Sequence, residues 1–225
     1  DTVRAEMGEE EARRHFGIAD GETPVLLMPG SRREEIERLL PPMLGAAEIL
    51  AARDSMRRFF LPVAGGVDTA QIQRHLAASS VEVTLTHDAR YALMRIARAA
   101  IAASGTVIME AAIMGLPAVV LYRMSALSYL VGRLLVDVPR FSLPNILLGE
   151  TFETELLQDA VQPERIAAAM EDIIADGAAR DYVTEHLARA VAVLGEPNAA
   201  RRVAEKILAL ARSHGRAADE NVQCS

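Results

Sequence analysis

Residues 24–28 read Pro-Val-Leu-Leu-Met, an apolar run without polar alternation, as expected of a short strand buried on both faces. Pro29-Gly30-Ser31-Arg32 breaks the run. Ile36, Leu39, Leu40, Met43, Leu44, Ala47 and Leu50 then recur at helical spacing, in a helix that Pro41-Pro42 should kink or split. The same unit repeats along the chain. A strand is expected at 58–63, a loop at 64–66 and a helix at 68–78. A strand at 81–85 follows, then His87-Asp88 as a cap and a helix at 89–98. The small-residue strand 99–103 leads through Ser104-Gly105-Thr106 into a helix at 107–114, stopped by Gly115, and 117–121 is a fifth strand. Residues 9–16 form a short charged helix ahead of the first strand. Strands alternating with helices at this spacing predict an α/β fold, a Rossmann-like parallel sheet with helices on both faces.

Beyond Gly149 the pattern is helical only, with helices at 164–175, 181–194 and 197–213 and a frayed tail. The expected organisation is a sheet domain at 1–162, C-terminal helices at 163–215 and a tail at 216–225. Residues 141–149, Phe-Ser-Leu-Pro-Asn-Ile-Leu-Leu-Gly, have neither helical nor strand period and place a lone Asn145 among apolar neighbours. Such an Asn either ties down its own loop or faces a ligand.

Composition narrows the function. The formal charge is −7, from 24 Lys and Arg against 31 Asp and Glu, which argues against nucleic acid as a partner. The single Cys224 sits one residue from the end, which excludes an internal disulfide or a cysteine zinc site and fits a reducing compartment. The first 14 residues are charged and carry no secretory signal, and the apolar runs are too short to span a bilayer. The chain begins at Asp1 rather than Met, as a processed chain or a piece of a longer one would. His-x-Glu-x-x-His, Walker and Gly-x-Gly-x-x-Gly patterns are absent, so no metal or cofactor is implied. His15, His75, His186 and His214 read as surface residues on helices, while His87 starts a loop at a strand's carboxyl end.

Ligands of open parallel sheets bind at those carboxyl ends. In the first loop there, Gly30 permits a tight turn, Ser31 can cap the next helix and Arg32 offers a fork of donors beside a helix N-terminus. The second, Ser104-Gly105-Thr106, combines free main-chain N–H groups with two hydroxyls, and Glu110 follows one helical turn on, where a carboxylate can accept ribose hydroxyls. Alone, the first loop reads rather as an ordinary strand-to-helix turn, and the second reads equally as a capped helix. Both at one end of one sheet make a phosphate cradle.

The segments Leu27-Met28-Pro29-Gly30-Ser31-Arg32-Arg33-Glu34-Glu35-Ile36, Ala103-Ser104-Gly105-Thr106 with Glu110, Tyr122-Arg123, Ser142-Leu143-Pro144-Asn145 and Glu155-Leu156-Leu157-Gln158 fall in that order. Together they resemble the carboxyl-terminal half of lipid-A-disaccharide synthase, over about residues 1–210. That family is an inverting glycosyltransferase of the GT-B architecture, with two Rossmann-like domains. The resemblance implies the half that binds the UDP-2,3-diacylglucosamine donor. The sugar passes to the 6-hydroxyl of a glycolipid acceptor, 2,3-diacylglucosamine 1-phosphate, giving a β-1,6-linked disaccharide and UDP. It implies diphosphate contacts from Gly30, Ser31, Arg32, Ser104, Gly105 and Thr106, and a ribose contact from Glu110. Arg123, Asn145, Glu155 and Gln158 complete the donor pocket, and Arg32 is the residue assigned to catalysis, stabilising the leaving diphosphate without a metal. Residues 125–138 are apolar enough to meet acyl chains, though a plain core helix fits as well. Many members have Pro where this chain has Thr154.

The family's amino-terminal domain, which carries the general base, is expected to be missing, leaving this chain inactive alone. Localisation on the cytoplasmic side, peripheral to the bacterial inner membrane, follows from the resemblance. The apolar stripes Ile166/Met170/Ile173 and Val203/Ile207/Leu210 predict a homodimer that exchanges its C-terminal helices. Another GT-B UDP-sugar enzyme, an epimerase or a different glycolipid glycosyltransferase, is the alternative within enzymes. A non-catalytic UDP-binding module is the alternative outside them.

Overall fold

The computed structural model describes residues 3–124, 139–195 and 203–208. Among its described residues, the unit Val3–Val193 holds six strands, β1 (Thr23–Met28), β2 (Arg57–Pro62), β3 (Val83–Thr86), β4 (Ala99–Ala103), β5 (Ala118–Tyr122) and β6 (Glu155–Leu157). Its helices are α1 (Glu9–His15), α2 (Arg33–Arg53), α3 (Thr69–Leu76), α4 (Arg90–Ile96), α5 (Thr106–Ile113), α6 (Leu143–Leu148), α7 (Pro163–Ile174) and α8 (Ala178–Val193). All strand pairs are parallel, in the order β3-β2-β1-β4-β5-β6.

The unbroken apolar runs arise because both faces of the sheet are covered. Val25, Leu27, Phe59, Leu61, Ile101, Val119 and Leu121 face one cluster, which includes Ile36, Met43 and Leu50 of α2 and Ile166 and Met170 of α7. Leu26, Met28, Phe60, Ala100, Ala102 and Val120, one residue out of phase, face the other, with Leu93 of α4 and Ile108 of α5. Register therefore fixes two cores at once, since a one-residue slip would exchange every side chain between them.

Several expectations need correction. Pro41-Pro42 do not split helix α2, which continues through them. The prolines forfeit the hydrogen bonds to the carbonyls of Glu37 and Arg38, but eight buried apolar residues before and after them hold the helix against the sheet. The stretch after Gly149 is not purely helical, because β6 adds a sixth strand, with Val120 N–H donating to the Thr154 carbonyl at 2.9 Å. Residues 143–148, read as irregular, form α6, with Pro144 in its first turn and Gly149 in a left-handed C-cap at φ 68°. His186 is buried rather than on the surface. It lies against Phe152 and Tyr182, with Nδ1 at 2.7 Å from the Tyr182 carbonyl and Nε2 at 3.3 Å from Glu150.

Residues Val3–Val193 form one compact unit. Ile166, Met170 and Ile173 of α7 are buried in this chain's own core, a burial worth about 1.5–3 kcal/mol each. That stripe therefore needs no second chain, and the argument for exchanging α7 falls away. Arg57 at the start of β2 clamps the same helix, donating from Nη1 and Nη2 to the two oxygens of Glu171 at 2.8 and 2.7 Å. In the unit containing Leu194–Ser225, residues 203–208 are helical, and Val203, Ile207 and Leu208 are exposed. Leu210, the 125–138 segment, His214 and the 216–225 tail lie outside the described residues.

Candidate functional site

Strands β1 and β4 are neighbours at the centre of the sheet, although the chain builds β2 and β3 on one side of them and β5 and β6 on the other. This reversal leaves a crevice beyond their carboxyl ends. A cleft of about 440 Å³ lies there, lined by both predicted loops: Gly30, Ser31 and Arg32 after β1, and Ser104, Gly105 and Thr106 after β4, with Glu110 behind them. The N-termini of α2 and α5 thus face one cavity, each with the positive end of its dipole.

Gly30 has φ +102°, a left-handed conformation that disfavours a side chain, and an added Cβ would run into the Glu35 carboxylate. That carboxylate caps α2, accepting from the Arg32 N–H at 3.3 Å while its other oxygen takes Arg32 Nη1 at 3.2 Å. The cap is therefore Glu35 reaching back to Arg32, not the Ser31 hydroxyl as expected, because Arg32 rather than Ser31 occupies the N-cap position. The Arg32 side chain remains 83% exposed. Gly105 differs: its backbone is extended and an added Cβ would meet nothing within 4 Å, so the fold itself does not demand glycine there. Its absence of side chain leaves the main chain bare toward the cleft.

Glu110 accepts from Arg90 Nη2 at 3.2 Å through Oε1, whereas Oε2 is buried with no hydrogen-bond partner. Arg90 was not singled out in the sequence. It begins α4, two residues after the His87-Asp88 pair, and the same carboxyl-end rule that picked out the other loops applies to it. His87 itself lines a smaller neighbouring cleft of about 150 Å³, with Glu6, Thr86, Asp88 and Arg90. His87 and Asp88 do not cap α4, whose N-cap is Ala89. Glu6 supplies a carboxylate there, accepting from the Ala92 N–H at 2.8 Å.

The structure does not bring Arg123, Asn145, Glu155 or Gln158 to the cleft. Three of them are spent on the main chain. Asn145, fully buried, donates to the Glu153 carbonyl at 3.0 Å and to Glu155 at 2.7 Å, and accepts from the N–H groups of Phe152 and Glu153 at 3.0 Å each. Glu155 accepts the N–H groups of Phe141 and Ser142, both at 2.9 Å. Gln158, itself left-handed at φ 51°, accepts from the Met124 N–H at 3.1 Å. The knot still reaches the cleft at one point, where the Ser104 hydroxyl donates to the Phe141 carbonyl at 2.9 Å. Beneath it, Ser142 Oγ donates to Glu153 at 2.9 Å. Burial raises the Glu153 carboxyl to about 8, the Ser142 bond opposing and the Glu155 charge adding to the rise.

A family model described as lipid-A-disaccharide synthetase matches residues 1–209. The chain belongs to that family. The lipid-A-disaccharide synthase of Syntrophus aciditrophicus is 41% identical over 211 residues, covering 93% of this chain and 55% of that protein. The lipid-A-disaccharide synthase of Geobacter sulfurreducens is 39% identical over 208 residues, covering 92% and 54%. The chain thus spans about half the length of the lipid-A-disaccharide synthases it matches. Among solved structures, the S. aureus MnaA–UDP complex matches with a TM-score of 0.63 at 12% identity, over 93% of this chain and 50% of that one. The UDP-GlcNAc 2-epimerase of Neisseria meningitidis, bound to UDP-GlcNAc, matches at 0.59 and 17% identity, over 88% and 48%. At such identities the likeness establishes the fold alone, a Rossmann-like parallel sheet with helices on both faces. No helix among the described residues is long and apolar enough to cross a membrane.

Proposed function

We propose that this chain is the donor-binding half of a lipid-A-disaccharide synthase, holding UDP-2,3-diacylglucosamine while its sugar passes to 2,3-diacylglucosamine 1-phosphate. The observation that carries the reading is the convergence of the β1–α2 and β4–α5 loops on one cleft where the strand order reverses. Main-chain N–H groups at 30, 31, 105 and 106 and the Ser31 and Thr106 hydroxyls take the diphosphate, and Glu110 takes the ribose. As the glycosidic bond breaks, negative charge grows on the leaving diphosphate. Two helix N-termini and the exposed Arg32 guanidinium offset it without rearranging. Asn145 and Glu155 serve the same site from outside it, because Glu155 accepts from the Ser142 N–H and so holds the peptide unit whose Phe141 carbonyl orients Ser104.

The general base and most of the acceptor site belong to the half that the longer relatives carry, and the reaction takes place at the cytoplasmic face of the inner membrane. Helix exchange in a dimer is retained only around 203–208, where exposed Val203 and Ile207 support a partner surface. Isothermal calorimetry of this chain with UDP, UMP and ADP tests the reading. UDP is expected to bind tightest, and Glu110→Ala to weaken it by about 1–3 kcal/mol. Equal weak binding of all three nucleotides, or none, refutes the proposal.

A further inference from the structure

The Arg90–Glu110 pair joins two helices at the cleft. Glu110 lies on the second turn of α5 and Arg90 on the first turn of α4, and the two meet at the wall of the cleft, which both line. Arg90 is itself held. Its Nη2 donates to the Tyr91 hydroxyl at 2.6 Å as well as to Glu110, and its guanidinium carbon lies 4.6 Å from the Tyr91 ring centroid. Ala89, immediately before it, adopts φ 46° and ψ 37°, a left-handed conformation uncommon for alanine, so the chain turns sharply where Arg90 leaves it. Desolvation works against the Arg90 charge, but the Tyr91 oxygen and the Glu110 and Glu6 carboxylates outweigh it and keep its pKa above the ordinary guanidinium value.

The last torsion of a glutamate is soft, so a carboxylate with one unpaired oxygen turns freely unless the other oxygen is pinned. Arg90 supplies that pin. With Oε1 occupied by Arg90, Oε2 is left buried and unsatisfied, and a donor hydroxyl from a ligand in the cleft would relieve a desolvated acceptor. We infer that Arg90 is a positioning residue for nucleotide recognition: it fixes the Glu110 carboxylate so that its remaining acceptor selects a ribose over a deoxyribose. The inference rests on the nucleotide reading above and adds a residue and a selectivity to it.

The test compares UDP with 2′-deoxy-UDP and 3′-deoxy-UDP by calorimetry, for the unaltered chain and for Arg90→Met, Arg90→Lys and Tyr91→Phe. The unaltered chain should prefer UDP over at least one deoxy analogue by roughly tenfold to a hundredfold, the range of one hydrogen bond to a charged group. Arg90→Met should bring the three nucleotides within about threefold of one another by weakening UDP while leaving that deoxy analogue almost unchanged. Tyr91→Phe and Arg90→Lys should narrow the preference partway, and they carry the test if Arg90→Met does not fold. A merely structural Arg90 would weaken all three ligands alike and leave the preference intact, which overturns the inference while the nucleotide reading stands. No UDP binding by the unaltered chain overturns both.

Discussion

Glu153→Gln isolates the most unusual ionisable group of the fold. Glu153 is 1% exposed, and its carboxyl is raised from an ordinary value of 4.5 to about 8. Between those two values the folded protein keeps a proton that the unfolded chain has lost. The native state therefore binds more protons, and stability falls as pH rises through this window. At about 1.4 kcal/mol per pH unit, the whole interval from 4.5 to 8 sets a ceiling of about 5 kcal/mol. From pH 6 to pH 8 the expected loss is about 2 kcal/mol, the slope flattening as the folded group itself ionises. Glutamine has the same shape, can still accept from Ser142 Oγ and does not titrate, so the difference between wild type and variant removes every other ionising group. Urea unfolding at pH 5, 6, 7, 8 and 9 should show wild type losing stability against Glu153→Gln up to pH 8 and running parallel above it. Curves parallel throughout, or a wild type that gains on the variant with rising pH, would refute the argument.

Asn145→Ala should cost about 3 kcal/mol or more, since it strands two buried N–H groups together with the acceptors that the amide serves; a melting point lowered by roughly 10 °C is expected, and a shift under about 3 °C would return the knot to a minor role. Arg32→Ala should leave the melting point within about 2 °C, because its side chain is 83% exposed and its ion pair with Glu35 spans one helical turn, yet should weaken UDP several-fold; differential scanning fluorimetry and calorimetry on one preparation separate the two effects, and a large drop in melting point with intact UDP affinity would make Arg32 structural.

The sheet was legible wherever burial on both faces erased polar alternation. Residues 24–28 and 99–103 are such runs, and the structure extends the first by one residue and keeps the second. β6 escaped because three residues, Glu155 to Leu157, form a half-buried edge strand, too short for any period to show. Helix α6 escaped for a related reason. Six residues give fewer than two turns, and Leu143, Ile146 and Leu147 are exposed rather than facing a core, so the apolar pattern misleads. Within the site, chain order located both loops, and glycine chemistry only the first, where Gly30 is left-handed. The partners of Asn145 could not be read that way. Nothing local distinguishes an amide aimed at a ligand from one aimed at Glu153 and Phe152 eight and seven residues ahead. Arg90 is the converse case, a site residue whose only sequence signal was its place after a strand end.

The packing of α7 explains how a chain that spans about half the length of its relatives closes the core behind the cleft. The helix lies on α2 across the face of the sheet, close enough that a Cβ at Gly45 would come within 2.9 Å of the Pro163 ring. Pro163 thus starts α7 at the one point along α2 where the side chain has been reduced to hydrogen, and from there Ile166, Met170 and Ile173 descend into the cluster that backs β1 and β4. The strands that end in the two cleft loops are covered on this face by a helix that begins 41 residues beyond Tyr122, with the Arg57–Glu171 pair securing its far end. The geometry of the cleft consequently depends on contacts within residues 3–193. Alignment of the diphosphate cradle requires the β1–β4 register and the α2–α7 contact, and both are made by this chain itself.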